Sequence, residues 1–345
     1  MRLLQIMAGA EQGGAEIFFN RLATAFRGTD IQQHLIIRNH KDRLNLFESE
    51  NLPVSVAPFS GFLDFETPKV IKRAIASFEP DIVMTWMSRA SAFCPEGQFT
   101  TVARLGGYYD LKYYRKADYL VGNTRDIVGY FRRQGWPEDY TRYLPNFAPL
   151  PEGQAVVREQ FDTPRHVPLL LSLGRFHDDK AFDILIPAMA EVPHAYLWLG
   201  GDGEEEGRLR SLAKKHRVEE RIRFLGWQRD TTSLFLAADI YVCPSRVEPL
   251  GNVVIEAWSH RCPVVAAASS GPAGLIDHEQ TGLLCDVDDV SGLAYQLRRL
   301  IAAPALQQQL RDQAYQVFQE NFSKERVVQS YRNFFEEIRG KKRNR

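Results

Sequence analysis

The sequence predicts an α/β protein made of two domains, each built on a doubly wound parallel sheet. Short apolar segments alternate with longer segments of helical periodicity along the 345 residues, and this alternation is typical of parallel sheets that helices cover on both faces. The chain is also long enough for two hydrophobic cores. A linker at 145–153, which contains Pro and Gly, ends the first series of alternating segments. We therefore predict domains at 1–150 and 151–322, then a terminal helix with a frayed basic tail at 323–345.

In the N-terminal domain, runs of apolar residues predict strands, and apolar residues spaced three or four apart predict helices. The predicted strands are 3–7, 33–37, 54–56, 81–85, 101–104, 119–121 and 142–144. The predicted helices are 15–26, 42–50, 68–78 and 125–134, the last one capped by Asn123 and Thr124. One face of helix 15–26 is expected to carry Ile17, Phe18, Leu22 and Phe26.

The second half of the chain repeats this alternation. Its predicted strands are 169–173, 195–199, 222–225, 240–243 and 262–267. Its predicted helices are 204–216, 253–260, 291–302, 305–320 and 324–338. We expect Asn252 to be the N-cap of helix 253–260, because an Asn side chain accepts hydrogen bonds from the free N–H groups of a helix start.

Composition argues against several classes of protein. Lys plus Arg and Asp plus Glu both number 43, so no strong field points to nucleic acid. No apolar run approaches the length of a bilayer span, and the N-terminal apolar run ends in a glycine loop, unlike a signal peptide. Cys243 and Cys262 lie in apolar strands and are expected to be core thiols. These features predict a protein of the reducing cytoplasm.

The segment 245–272 carries the most specific chemistry in the sequence. Its loop follows strand 240–243 and therefore lies at the carboxyl edge of a parallel sheet, where α/β proteins bind ligands. Gly251 lets a ligand approach the backbone, and the helix start after it suits a phosphate. Glu248 and Glu256 flank this cradle, and carboxylates repel phosphate but accept hydrogen bonds from hydroxyls. The pattern indicates a nucleotide-sugar, although an acid at Glu256 also suits a helix dipole alone.

The residues EPLGNVVIEA, at 248–257, resemble the E-x7-E signature of the GT4-type (group 1) retaining glycosyltransferases. The resemblance implies the GT-B fold, in which two Rossmann-like domains face each other across a cleft and the last helix returns to the N-terminal domain. It implies that Glu248 faces the donor sugar and that Glu256 holds the ribose hydroxyls. The donor is then expected to contact Leu250, Gly251, Asn252 and Val253.

A second segment, 174–181, resembles the G-R-x-x-x-x-K-G element of the same family, with Ala181 where glycine is usual. The resemblance implies that Gly174 borders the diphosphate, while Arg175 and Lys180 grip it and neutralise the leaving group. The catalytic residues are accordingly predicted to be Glu248, Arg175 and Lys180. Asp178 and Asp179 lack the D-x-D spacing of metal-dependent transferases. We therefore expect no metal, no cofactor beyond the UDP-, GDP- or ADP-linked donor, and an incidental role for His177.

Other glycine turns match the family as well. Gly13 and Gly14, within GGAE, are expected to let the backbone approach the donor diphosphate and the acceptor. Gly226 and Trp227 are expected to hold the nucleotide base, and 270–274 is expected to be a glycine loop near the donor. The family often has a His in the N-terminal domain, where this chain has 104–110 without one. Asp110 or a backbone group is expected to substitute.

Two patches of the N-terminal half combine aromatic and basic residues. The first contains Phe59, Phe62, Leu63, Phe65, Lys69, Lys72 and Arg73. The second contains Tyr108, Tyr109, Lys112, Tyr113, Tyr114, Arg115 and Lys116, with Tyr130, Phe131, Arg132, Arg133 and Trp136 nearby in sequence. Two interpretations stay open: ordinary core with solvated charges, or an acceptor groove that also touches an anionic membrane surface.

The resemblance implies a metal-independent, retaining transfer of a hexose from a nucleotide-sugar to a glycan or glycolipid. By analogy, the expected acceptor is a bacterial envelope glycan such as a lipopolysaccharide core. Two alternatives stay open: a nucleotide-sugar epimerase of the same fold, and an inactive glycan-binding or scaffold protein. An NAD-dependent oxidoreductase is disfavoured, because the first strand lacks the G-x-G-x-x-G fingerprint after it.

Overall fold

A computed structural model describes residues 1–11, 13–61 and 63–343 of the chain. The chain divides into two compact units. Unit 1 contains Met1–Asn146 together with the chain from Lys324 onwards, and unit 2 contains Phe147–Ser323. The sequence-based boundaries were 150 and 322, so the structure places the first one within the predicted linker and the second beside the predicted end of the second domain.

Unit 1 is built on a parallel sheet of seven strands. The strands are β1 (Arg2–Met7), β2 (Gln32–Ile37), β3 (Val54–Val56), β4 (Ile82–Trp86), β5 (Thr100–Leu105), β6 (Tyr119–Gly122) and β7 (Thr141–Tyr143). Their spatial order is β3-β2-β1-β4-β5-β6-β7. The helices of unit 1 are α1 (Gly14–Ala25), α2 (Lys41–Ser49), α3 (Glu66–Phe78), α4 (Met87–Phe93), α5 (Arg125–Arg133) and α13 (Lys324–Ile338).

Unit 2 is built on a parallel sheet of six strands. The strands are β8 (Leu169–Leu173), β9 (Tyr196–Gly200), β10 (Ile222–Gly226), β11 (Ile240–Cys243), β12 (Val264–Ala267) and β13 (Leu283–Cys285). Their spatial order is β10-β9-β8-β11-β12-β13. The helices are α6 (Phe182–Ala188), α7 (Glu206–Lys215), α8 (Thr232–Ala237), α9 (Asn252–Ser259), α10 (Ser270–Leu275), α11 (Val290–Ala302) and α12 (Pro304–Asn321).

Both faces of the unit 2 sheet are buried, which explains why its strands read as continuous apolar runs. In β8, Leu170 joins one core cluster, whereas Leu169 and Leu171 join the cluster on the other face. This division follows from the alternation of side chains along a strand. The predicted core thiols are confirmed, because Cys243 and Cys262 are free and buried. This burial raises the pKa of Cys243 to about 11 and that of Cys262 to about 12.

Several sequence-based expectations of local structure are wrong. Helix α9 begins at Asn252, but its N-cap is Gly251 with φ 78°, because glycine adopts this left-handed conformation without steric cost. The segment predicted as a glycine loop at 270–274 forms helix α10. In α1 the buried face includes Glu16, whereas Ile17 is 47% exposed.

The basic tail packs on unit 1 up to Arg343, whereas the sequence predicted a frayed tail. The Lys342 ammonium lies 3.2 Å from the carboxylate of Asp118, a buried residue directly before β6. The Arg343 guanidinium lies 3.9 Å from the centre of the Trp136 ring. Ion pairing with a buried carboxylate and stacking on an aromatic ring hold this segment on unit 1. The last two residues lie outside the described part of the chain.

The cap predicted for α5 is confirmed, since the Thr124 hydroxyl accepts a hydrogen bond of 3.0 Å from the Ile127 amide. Among the described residues, three helices were not expected from the sequence: α4, α8 and α10. Each has only six or seven residues, too few to show a clear helical period. Within residues 1–11, 13–61 and 63–343, none of the helices combines the length and apolar character that a membrane crossing requires.

Candidate active site

The spatial order of the unit 2 strands brings two loops together. Strands β8 and β11 are neighbours although the chain visits β9 and β10 between them. This is the topological switch point of the sheet, where the loops at the carboxyl ends of two neighbouring strands diverge and leave a crevice. The loop after β8 carries Gly174 to Lys180, and the loop after β11 carries Ser245 to Gly251. The backbone amide of Arg246 donates to the carbonyl of Asp179 at 2.8 Å, which joins the two loops directly.

The ion pair between Lys180 and Glu248 is the centre of this crevice. The Lys180 ammonium lies 2.5 Å from Oε2 of Glu248, and the amide of Gly251 donates to Oε1 at 3.3 Å. Glu248 is only 9% exposed, so its charge is balanced by an ammonium and by the helix start rather than by water. The structure thus brings together the predicted leaving-group cation and the predicted sugar-facing acid.

Arg175 lies in the same loop but does not join this pair. Its side chain is exposed, and none of the residues that the structure describes gives its guanidinium a hydrogen-bond or ion-pair partner. A guanidinium in this state keeps its donors available for an anionic ligand. Arg175 is therefore accessible to a ligand, whereas Lys180 is paired with Glu248.

Glycines let the loops of the crevice pack backbone against backbone. At Gly201, with φ 142°, a Cβ would lie 1.9 Å from the carbonyl oxygen of Gly174. The amide of Gly174 also donates to Gly200 at 3.0 Å. Gly226 has φ 67° and accepts a hydrogen bond of 2.8 Å from the Gly201 amide. These contacts exclude a side chain at position 201 and show that Gly174 and Gly226 stabilise the scaffold of the crevice.

A pocket of about 170 Å³ opens beside the crevice within unit 2. It is lined by Leu173, Gly174, Gly200, Gly201, Trp227, Gln228, Thr231, Val253 and Glu256. The predicted donor residues Trp227, Val253 and Glu256 thus share one cavity with Gly174. The predicted donor residue Leu250 is buried, at 4% exposed. Gln228 and Thr231 were missed in the sequence, because single polar residues after a strand carry no signal of their own.

Comparison with known proteins identifies the family. The family model described as glycosyl transferases group 1 matches residues 154–317. The lipopolysaccharide core biosynthesis glycosyltransferase LpsE of Rhizobium meliloti is 35% identical over 325 residues, which cover 93% of this chain and 95% of that protein. LpsD of the same organism is 33% identical over 339 residues, covering 97% and 98%. The chain belongs to the group 1 glycosyltransferases.

Solved structures agree with this assignment at the level of the fold. A glycosyltransferase from Rickettsia africae superposes with a TM-score of 0.87 at 18% identity, covering 98% of both chains. HepE of Anabaena, solved with UDP and glucose, superposes with a TM-score of 0.83 at 21% identity, covering 98% of this chain and all of that one. The predicted GT-B class with two Rossmann-like domains is therefore confirmed.

The N-terminal glycine loop of the glycosyltransferase is shaped by Glu16. This buried carboxylate accepts a hydrogen bond of 2.9 Å from the Ala10 amide. A Cβ at Gly9 or at Gly13 would lie 2.3 Å from one of its oxygens. Arg43 is also buried and donates to the Ala10 carbonyl at 2.9 Å. A side chain at position 13 would therefore require the Glu16 carboxylate to move, while Gly14 is the exposed first residue of α1.

Asp110, one of the expected substitutes for the family's His, is engaged locally. Its carboxylate lies 2.7 Å from the Lys112 ammonium and accepts from the Lys112 amide at 2.9 Å. The hydrogen bonds and the charge of Lys112 lower the pKa of Asp110. The group is therefore a carboxylate at neutral pH, which can accept a hydrogen bond but has no proton to donate.

The two aromatic patches are partly core and partly surface. Phe59, Tyr114, Phe131 and Trp136 are buried, as the core interpretation predicts. By contrast, Leu63 and Phe65 are 78% and 72% exposed, and Tyr108, Tyr109 and Tyr113 are also exposed. Phe62 lies outside the described residues.

Metal ligands are not clustered in the described ranges 1–11, 13–61 and 63–343. No group of three or more His, Cys, Asp or Glu side chains there could hold a metal ion. Asp178 faces the guanidinium of Arg246 at 3.2 Å. Arg246 was missed in the sequence, because its acidic partners are far apart along the chain. His177 accepts a hydrogen bond from the Asp179 amide at 3.3 Å and so caps its own turn.

Proposed function

We propose that this glycosyltransferase moves a hexose from a nucleotide-sugar to a glycan or glycolipid of a bacterial lipopolysaccharide core, with retention of configuration. The observation that carries the proposal is the Lys180–Glu248 pair beside the start of α9. The names of LpsE and LpsD, which match nearly the whole chain, support the acceptor class. The UDP and glucose in the HepE structure support the donor class.

Each residue of the crevice has a proposed role toward the donor. Lys180 and the exposed Arg175 bind the diphosphate, and the amides at the start of α9 add partial positive charge. When the donor binds, Lys180 transfers from the Glu248 carboxylate to the diphosphate. Glu248 is then free to accept hydrogen bonds from the sugar hydroxyls, and Glu256 accepts hydrogen bonds from the ribose hydroxyls.

The proposed reaction breaks the bond between the anomeric carbon and the diphosphate oxygen, whose electron pair leaves with the diphosphate. The acceptor oxygen forms its bond to the anomeric carbon from the same face. Its proton passes to an oxygen of the departing diphosphate. Lys180 and Arg175 stabilise the negative charge that develops on this leaving group, which is the largest contribution that a preorganised site makes to such a step.

The test is a transfer assay with UDP-, GDP- and ADP-sugars and a rough-type lipopolysaccharide acceptor. Glu248→Gln is expected to lower kcat by about 10²-fold or more while the free nucleoside diphosphate still raises the melting temperature. Glu191→Gln is the matched control, since Glu191 pairs with Arg298 at 3.1 Å outside the crevice and should keep normal turnover. Normal transfer by Glu248→Gln would contradict the role of Glu248.

Product analysis separates the alternatives in the same assay. A hexose joined to the acceptor with the anomeric configuration of the donor supports the proposal, whereas an isomerised nucleotide-sugar would indicate an epimerase. Binding of glycan without turnover of any donor would indicate a glycan-binding protein. Because the proposed charge stabilisation comes from Lys180 and Arg175, transfer is expected to continue at an unchanged rate in EDTA. Loss of activity in EDTA that Mg²⁺ restores would contradict metal independence.

We also propose that unit 1 contacts an anionic membrane surface through Leu63 and Phe65. Exposed Lys69, Lys72 and Arg73 follow these residues on α3, and basic side chains beside exposed apolar ones suit anionic headgroups. The protein should sediment with vesicles that contain phosphatidylglycerol and not with pure phosphatidylcholine. A variant with Leu63→Ser and Phe65→Ser should lose this binding, and equal binding by variant and wild type would contradict the assignment.

A further inference from the structure

Arg246 joins three acidic residues that lie far apart in the sequence. Its Nη1 and Nη2 donate to the two oxygens of Asp183 at 2.9 and 3.0 Å. Its Nε lies 2.6 Å from Asp288, and Nη1 also donates to the carbonyl of Asp178 at 2.8 Å. The guanidinium therefore uses all three of its nitrogens, and the contact with Asp183 is the bidentate geometry that gives the strongest pairing.

The electrostatics of this cluster show that the guanidinium is firmly held. Burial would raise the pKa of Asp183, but the hydrogen bond and charge of Arg246 outweigh burial and lower it. The hydrogen bond to Asp183 in turn raises the pKa of Arg246. Both side chains are mostly buried, at 20% and 17% exposed, so solvent weakens this pair less than it weakens a surface ion pair.

The three acids come from three different elements of unit 2. Asp178 begins the 3₁₀ turn that ends at Lys180, Asp183 lies in the first turn of α6, and Asp288 lies in the turn before α11 with φ 62°. Arg246 itself lies two residues before Glu248. The cluster therefore fastens the loop at 245–251, which carries Glu248 (the acid loop), to the turn at 178–180, which ends at Lys180 (the lysine turn).

The backbone repeats this connection. The amides of Arg246 and Val247 donate to the carbonyl of Asp179 at 2.8 and 3.2 Å. Asp179 directly precedes Lys180, so the lysine turn is bound to the acid loop through both side chain and main chain. Apart from the Lys180–Glu248 pair, the two loops are therefore joined by the Arg246 side chain and by these two backbone hydrogen bonds.

We propose that Arg246 is a positioning residue for the transfer reaction, holding the Lys180 turn against the Glu248 loop while the donor separates the Lys180–Glu248 pair. This inference rests on the proposed roles of Lys180 and Glu248. In this inference, Asp178, Asp183 and Asp288 form the binding site of the Arg246 guanidinium. Lysine cannot replace arginine here, because an ammonium lacks the planar fork that reaches several carboxylates at once.

The test compares Arg246→Ala and Arg246→Lys with Arg208→Ala in the full-length protein. Arg208 pairs with the same Asp183 at 3.1 Å, and among the described residues its hydrogen bonds and ion pairs go to Asp183 and Glu205 and not to the acid loop. It is therefore a matched control for the loss of one cation. Arg246→Ala is expected to lower kcat about 10²-fold, since small misplacement of catalytic groups has effects of this size. Arg246→Lys should recover only part of that loss, and Arg208→Ala should stay within about three-fold of wild type.

Chemical rescue distinguishes positioning from general loss of stability. Millimolar guanidinium ion should raise the kcat of Arg246→Ala several-fold, because the ion can bind where the guanidinium group of Arg246 is missing. It should not raise the kcat of Arg208→Ala or of wild type. A merely structural role predicts a lower melting temperature without rescue of kcat. If Arg246→Ala does not fold, Asp288→Asn takes its place and is expected to lower kcat about ten-fold, since it removes one contact of the guanidinium.

The inference is overturned if Arg246→Ala, or its substitute Asp288→Asn, turns over within about three-fold of wild type. An equal loss in Arg208→Ala, or a loss that guanidinium does not relieve, overturns it as well. These outcomes are separate from failure of the proposed function, which would appear as absence of transfer by wild type or as normal transfer by Glu248→Gln. Wild-type transfer with a silent Arg246→Ala would reject the positioning role alone.

Discussion

At the scale of single residues, Gly271 shows how closely the crevice is packed. Its amide donates to the Glu248 carbonyl at 2.7 Å. A Cβ at this position would lie 2.3 Å from that carbonyl oxygen and 2.8 Å from the Gly251 amide nitrogen. The backbone of the acid loop therefore rests directly on position 271, and only glycine leaves room for it.

Gly271→Ala is expected to destabilise unit 2 by about 2–3 kcal/mol, because the added methyl group must displace backbone and not a flexible side chain. It should also lower turnover by moving Glu248 and Gly251. Gly274→Ala in the same helix is the matched control, since nothing lies within 4 Å of its added methyl group. It should be neutral or stabilise by up to about 1 kcal/mol. Urea unfolding and kcat measure both effects, and equal behaviour of the two variants would refute the packing argument.

At the scale of elements, Asp64 holds the start of α3. One carboxylate oxygen accepts from the amides of Glu66 and Thr67, at 3.1 and 2.8 Å. The other accepts from the Thr67 hydroxyl at 2.6 Å and from the Ser60 amide at 2.8 Å. Burial alone would raise the pKa of Asp64, but these hydrogen bonds lower it to about 2. The exposed Leu63 and Phe65 lie on either side of this anchor.

Because the folded pKa of Asp64 is below its unfolded value, its contribution is present above about pH 4 and is lost as pH falls toward 2. Asp64→Asn should therefore destabilise unit 1 by about 1 kcal/mol at pH 7, where the amide NH₂ cannot accept hydrogen bonds. The difference between wild type and variant should shrink between pH 4 and pH 2. Urea titrations at several pH values test this, and a constant difference would show that the carboxylate is not the cause.

At the scale of the whole molecule, the end of the chain completes the core of unit 1. Helix α13 buries Tyr331, Phe335 and Ile338 completely. The Tyr331 hydroxyl accepts from Nε of buried Arg104 at 3.0 Å, and the Phe335 ring lies 6.1 Å from that of Phe26. Unit 1 therefore depends on residues more than two hundred positions from the strands that they cover.

A chain that ends at Ser323 should lose most of the stability of unit 1 while unit 2 stays folded. Each large buried side chain of α13 is worth about 1.5–3 kcal/mol, and their sum is comparable to the total stability of a domain. Hydrogen exchange should show lost protection in β1 to β7 and unchanged protection in β8 to β13. Unchanged protection of unit 1 after truncation would contradict this dependence.

The milder substitution Tyr331→Phe should lower the free energy of unfolding of unit 1 by about 1–3 kcal/mol, because it leaves the Arg104 donor without its acceptor.

Much of the architecture could be predicted from the sequence. Strands β8 and β11 match their predicted limits. An apolar run of only four or five residues between polar loops has the length of a buried strand and is too short for a buried helix. The α/β fold class followed from the alternation of apolar and helical segments, and the spacing of Glu248 and Glu256 predicted which loop binds the donor. Local reasoning failed at Asn252 and at Ile17, where a left-handed glycine and a buried carboxylate replaced the expected cap and apolar side chain.

The sequence by itself therefore determined most of the strands, although not β13, and which loop carries the acids, since these depend on neighbours along the chain. Only the tertiary structure decided that Lys180 pairs with Glu248, 68 positions away, and that Arg246 collects three distant acids. Those contacts depend on the placement of β8 beside β11. Strand order in space is set by the packing of helices on both faces of the sheet, which no local pattern of residues records.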